Sequence, residues 1–321
     1  MPIYDKRELS LRAKELNVVR DTFEKVCRLQ EILRFINSSD LLKNSFALKG
    51  GTAINLVLFD LPRLSVDIDL DYTRLCSREE MLDERERINV LISKYMSAEG
   101  YTPSAKSKSR HSLDSFVYEY INSAGIKDNI KIEPNYSLRS HILPIETRSV
   151  KSEIFGNEYD VNMLSPIEIY ATKTVALLTR GAARDLYDMN YMIKSGVIKE
   201  DDLELYRECV MFYFAISTDS PLMSYSTDEI ENITNHKIFT DLVPVIRDRD
   251  IFQLEDAKKT VEEFLSDTVY YTDRDVEFLR RFKNGYYRPE LIFDDDDILK
   301  RIEKHPMAMW KTAHNRDAQE R

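Results

Sequence analysis

The sequence predicts an α+β chain, with a small mixed sheet and its helices in residues 1–155 and a mostly helical domain over 156–321. Three observations lead there. Residues 65–72, SVDIDLDY, alternate strictly between polar and apolar, which is the period of a strand. Two further strand-like runs, 115–121 and 129–137, are joined by the turn-rich NSAGIKDN with Gly125 and Asp128. Beyond Ser165-Pro166 the apolar residues recur instead at three- and four-residue steps, the period of helices.

Taken in order, Val19, Phe23, Val26, Leu29, Leu33 and Ile36 mark an amphipathic helix within 16–37. SFALKGG then reads as a short strand ending in Gly50-Gly51, and TAINLVLF as a helix starting directly after it. In 65–72, Val66, Ile68, Leu70 and Tyr72 share one face, and Asp67, Asp69 and Asp71 the other. Met81, Ile88, Leu91, Ile92 and Tyr95 place a surface helix within 77–99. A short strand near EYDVNML precedes Ser165-Pro166, a helix start with Glu168 three residues after the serine, the spacing of a capping box. Helices are expected over 166–180, 183–195 and 200–216. The DDDD run at 294–297 reads as an acidic loop feeding a helix N-terminus.

Composition limits the function classes. The 321 residues are 43% hydrophobic, enough for two modest cores, and the formal net charge is −10. That charge excludes a general polyanion binder, so any nucleic-acid substrate needs a local basic patch. Three scattered cysteines suggest neither a disulfide framework nor a zinc site. The start MPIYDKRELS has no secretory pattern, and no apolar run reaches the roughly 18 residues of a membrane span. A cytoplasmic protein with no membrane partner is expected.

Aspartate is a poor strand former, and three in register repel one another. Asp67 and Asp69, about 7 Å apart on one strand face, can instead converge on divalent cations. Magnesium takes oxygen ligands and leaves its other positions to water and substrate phosphates, and a two-metal site clamps the attacking and leaving oxygens of a phosphoryl or nucleotidyl transfer. The Gly50-Gly51 turn lets backbone approach a triphosphate, with Thr52 as a hydroxyl donor and the helix start directed at the phosphates. Asp71 is expected to be solvated, or at most behind the metal ligands.

Together, KGGTAINL and Arg63-Leu-Ser65-Val-Asp67-Ile-Asp69 resemble the first motif of the AbiEii-type nucleotidyltransferase-like toxins of abortive infection, within the DNA polymerase β-like superfamily. The family's helix signature K-x-x-x-L-x-x-R is similar to 173–180, KTVALLTR, with Lys173, Leu177 and Arg180. Seven helical residues bring Lys173 and Arg180 to one face about 10 Å apart, suited to a polyphosphate. The resemblance implies a nucleotidyltransferase fold whose helical domain closes the cleft. It implies an acidic residue after that helix, best matched by Asp185, which orients Lys173 or Arg180 or acts as base; Asp188 follows. It also implies a third metal carboxylate on a later strand, for which Glu133 is the candidate, an ordinary exposed glutamate being the alternative.

On this reading Asp67, Asp69 and Glu133 hold Mg2+, Gly50, Gly51, Thr52, Ser65 and Arg180 bind a nucleoside triphosphate, and Asp67, Asp69, Lys173 and Asp185 are catalytic. The resemblance implies a toxin of a phage-defence toxin–antitoxin pair, with a separately encoded antitoxin, and tRNA as the acceptor of some members. The alternatives are a small-molecule nucleotidyltransferase of the antibiotic-modifying type and a non-catalytic nucleotide-binding regulator. Residues 278–293, FLRRFKNGYYRPELIF, interleave basic and aromatic side chains and fit either an RNA surface or plain packing.

Overall fold

A computed structural model describes residues 4–150, 158–218, 225–247 and 252–319. The chain forms two compact units: Met1–Arg139 with Ile145–Met163 and Pro244–Arg249, and Ser140–Pro144 with Leu164–Val243 and Asp250–Arg321.

The first unit begins with α1 (Lys6–Glu15), α2 (Arg20–Ser38) and α3 (Asp40–Ser45), followed by β1 (Phe46–Lys49). Gly50–Thr52 and Ala53–Leu58 make one short helix, α4, α-helical at its start and π-helical after it. Then come β2 (Asp67–Tyr72), α5 (Arg78–Ala98), β3 (Thr102–Pro103), β4 (Lys108–Ser109), β5 (Asp114–Ile121), β6 (Lys127–Asn135), β7 (Glu146–Val150) and β8 (Tyr159–Met163). Among the described residues these eight strands form one mixed sheet in the order β3-β5-β6-β2-β1-β8-β7, with β4 pairing β5.

β2 lies between β1, to which it runs antiparallel, and β6, to which it runs parallel. Its alternation works as the sequence predicts on the apolar side: Ile68, Leu70 and Tyr72 are all buried. α2 packs across β2, β6 and β8, and its Phe23, Val26, Leu29, Leu33 and Ile36 are buried as well. Burying a side chain of this size stabilises by about 1.5–3 kcal/mol, so this apolar layer holds β2 firmly while its opposite face carries the aspartates. α5 has a complete capping box between Ser77 and Glu80, and its Tyr95 stacks on Phe35 of α2 at 3.7 Å.

The second unit contains α6 (Pro166–Arg180), α7 (Ala183–Ser195), α8 (Leu203–Ser217), α9 (Asp228–Glu231), α10 (Asn235–Lys237), α11 (Leu254–Thr268), α12 (Asp273–Lys283), α13 (Asp296–Ile302) and α14 (Pro306–Gln319). Pro166 opens α6 as expected, but Ser165 makes no side-chain cap bond. Glu168 is fully buried and accepts instead from the backbone N–H groups of Ile142 and Leu143 and from the Tyr213 hydroxyl. Tertiary donors, which the capping pattern does not reveal, have taken its carboxylate. Gly181 ends α6 in the left-handed region at φ +55, where a Cβ would lie 2.3 Å from the Glu229 carbonyl oxygen. Asp295 caps α13 by accepting from Asp297 and Ile298, so the acidic run does feed a helix start.

Candidate active site

The acidic face of β2 is assembled by strand register. Asp69 pairs with Lys49 of β1 on one side and with Glu133 of β6 on the other, and Asp67 pairs with Lys131. Register partners project from the same side of a sheet, so the carboxylate-bearing residues Asp67, Asp69 and Glu133 share one face. The side chain of Glu133 is about one-fifth exposed, and Lys131 Nζ lies 2.6 Å from its Oε2. Burial alone lowers the Lys131 pKa, but the Glu133 bond and charge, with the fields of Asp67 and Asp69, raise it overall.

Both glycines of the turn lie in close approach to side chains, and Gly50 also takes a left-handed backbone. Gly50 sits at φ +67, and a Cβ there would meet Asp69 Oδ2 at 2.5 Å. A Cβ on Gly51 would meet Arg63 Nη2 at 2.6 Å and Ser65 Oγ at 3.0 Å. Arg63 and Ser65 therefore brace the turn that carries the glycines. Thr52 departs from its expected phosphate-donor role: it is buried, donates to the Asp67 carbonyl at 2.5 Å and lies 2.9 Å from Ser65 Oγ. Its hydroxyl ties the start of α4 to the start of β2.

Asp71 corrects another expectation. It is fully buried rather than solvated, with Lys49 Nζ at 2.6 Å and Asn135 Nδ2 at 2.8 Å. Burying a carboxylate in this way is tolerable only because a cation and an amide meet it.

In the second unit, α6 and α7 form a four-charge network. Lys173 is buried, and its Nζ lies 2.9 Å from both Asp185 Oδ1 and Asp188 Oδ2. Arg180 donates through Nε and Nη2 to Asp185 Oδ2 at 2.9 and 2.7 Å, while its side chain stays 63% exposed. Burial would raise the Asp185 pKa, but the charges and hydrogen bonds of Lys173 and Arg180 pull it below the usual aspartate range. Asp185 thus holds both cations of the helix signature.

The sequence profile described as "Nucleotidyl transferase AbiEii toxin, Type IV TA system" matches residues 32–284. The chain belongs to this AbiEii family. Its members are nucleotidyltransferase toxins, and the enzyme class follows for this chain. Among solved structures it is similar to MenT4, a nucleotidyltransferase toxin from Mycobacterium tuberculosis H37Rv, with a TM-score of 0.62 and 13% identity over 96% of this chain and 99% of that one. At that identity the likeness shows the fold. No curated protein sequence matches.

For an AbiEii nucleotidyltransferase the donor set is informative. Asp67, Asp69 and Glu133 offer only oxygen, which suits a hard cation such as Mg2+. Among the described residues, however, no three His, Cys, Asp or Glu side chains are gathered closely enough to enclose an ion. Lys131 is bonded to one of the three carboxylates instead. Lys49, Arg63 and Lys131 all escaped the sequence reading as site residues. A signal for Lys131 was present, since it alternates with Glu133 on the polar side of 129–137.

The basic C-terminal stretch divides. Phe278, Leu279, Phe282, Ile292 and Phe293 are buried, so these apolar residues pack. Arg280 and Arg281 both bond Glu277, and Arg288 bonds Glu290. No helix among the described residues is long and apolar enough to cross a membrane.

Proposed function

We infer that this AbiEii-family toxin is a Mg2+-dependent enzyme of the cytoplasm that transfers a nucleotide from a nucleoside triphosphate to tRNA, held in check by a separately encoded antitoxin. The observation that carries the reading is the register of β2 with β6, which sets Glu133 beside Asp69 on the face that Gly50 touches. Asp67, Asp69 and Glu133 would hold the metal, which when bound supplies charge neutralisation at the phosphates and activation of the acceptor oxygen. The acceptor hydroxyl oxygen, its proton released to solvent, attacks the α-phosphorus, the α–β bridge bond breaks, and pyrophosphate leaves with the released electron pair. Gly50 and Gly51 leave backbone open to the triphosphate, and Ser65 adds a hydroxyl beside them. Thr52 serves by fixing the turn to β2. In the helical unit, Asp185 sets the positions of Lys173 and Arg180, the two cations of the helix signature.

One observation favours a small-molecule acceptor: the C-terminal arginines are already paired with glutamates, which reduces the basic track an RNA needs. The test is incubation with α-labelled nucleoside triphosphates, Mg2+ and total RNA. Label in a band of tRNA size, declining steeply between low and moderate salt, is expected; label confined to small metabolites would overturn the tRNA assignment.

A further inference from the structure

The acidic face of β2 and β6 carries a cation of its own. Lys131 stands opposite Asp67 in register, one strand position pair before the Asp69–Glu133 match, and its ammonium is bonded to Glu133 at 2.6 Å. Only about a third of its side chain is exposed, although a lysine on a sheet face can ordinarily extend into water. On the neighbouring strand the other lysine of this face, Lys49, is committed to Asp71. Two carboxylates of the face, Asp71 and Glu133, therefore each have a lysine, and the lysine on Glu133 is the one that shares a candidate metal ligand.

We propose that Lys131 is a resident counter-ion that holds Glu133 and competes with the divalent cation, so that loading of the metal requires Lys131 to release Glu133. This rests on the reading of Asp67, Asp69 and Glu133 as metal ligands. Three carboxylates on one face without a cation would repel one another. Lys131 relieves that repulsion before metal arrives, at the expense of metal affinity. Lys131 is thus a positioning residue for Glu133, and its removal should strengthen metal binding and weaken the metal-free protein. An ion pair with no link to the metal site predicts no gain in metal affinity.

The experiment measures Mn2+ affinity by paramagnetic resonance on the full chain without nucleotide, for wild type, Lys131→Met, Lys131→Arg and Asp69→Asn, with melts in chelator and in excess Mg2+. Lys131→Met should bind Mn2+ about tenfold more tightly, the scale on which removing one charge near a divalent ion acts in a watery site. It should also melt lower than wild type in chelator and recover with Mg2+, while Lys131→Arg stays close to wild type. Unchanged or weaker Mn2+ binding by Lys131→Met, with Asp69→Asn still abolishing it, would overturn the role of Lys131 alone. Equal Mn2+ binding by wild type and Asp69→Asn would overturn the metal site itself. If Lys131→Met fails to fold, Lys131→Gln gives the same comparison with a polar side chain retained.

Discussion

Gly50→Ala offers a sharp test of how the turn and the acidic strand are joined. Two effects are combined at this position. The first is backbone: φ is +67, and an L-residue in the left-handed region costs about 1–2 kcal/mol. The second is contact: the new Cβ would lie 2.5 Å from Asp69 Oδ2, against 3.4 Å or more in ordinary contact. The Asp69 carboxylate must therefore retreat by roughly 1 Å, a displacement that can reduce a positioned reaction about 100-fold. Gly125 separates the effects, because it has φ +79 with nothing within 4 Å of an added Cβ. Both variants should lose about 1–2 kcal/mol of stability, read as a fall of a few degrees in melting temperature. Only Gly50→Ala should lose about two decades of nucleotide transfer, measured as α-label incorporation under saturating triphosphate. Transfer by Gly50→Ala within a few-fold of wild type would refute the close coupling of turn and Asp69.

Other perturbations follow from the same contacts. Lys49→Met leaves the buried Asp71 with Asn135 and no cation, and a denaturant melt should show a loss of roughly 3 kcal/mol; a loss under 1 would reject the pair as structural. Thr52→Val should destabilise by about 1 kcal/mol and Thr52→Ser far less, because the bond to the Asp67 carbonyl needs only a hydroxyl; calorimetry decides. Asp185→Asn removes a carboxylate whose pKa is depressed in the folded state. Its stabilising effect is present above the ordinary aspartate pKa and is lost as pH falls through the lower folded value. Melts from neutral to acidic pH should therefore show wild type and variant converging in acid, and a constant gap would contradict the linkage.

The features that the sequence disclosed were those written in short-range pattern. The alternation of 65–72 located β2, and the adjacency of Gly50 and Gly51 marked a tight turn whose first residue does lie at positive φ. Helices α6 and α7 match the expected ranges, because Pro166, Gly181 and Gly196 punctuate a strong periodic pattern. What escaped depended on partners distant in sequence. The burial of Asp71 requires Lys49 and Asn135, which register alone brings to it. Thr52 looked like a phosphate donor because its neighbours are glycines, yet its hydroxyl was taken by a strand 15 residues further on. α1 has only two buried residues, Leu9 and Ala13, too few to show a period, and β7, ETRSV, has no apolar alternation to announce it.

The central claim is that the β2 face is a metal-dependent centre for nucleotidyl transfer. It is tested most directly by following α- and γ-labelled nucleoside triphosphates in parallel with wild type, Asp67→Asn and Asp69→Asn, each checked by circular dichroism and a melt. The account predicts Mg2+-dependent transfer of the α-label alone, release of the γ-label as pyrophosphate, and loss of both in folded variants. Transfer of the α-label by either folded variant at the wild-type rate would contradict it.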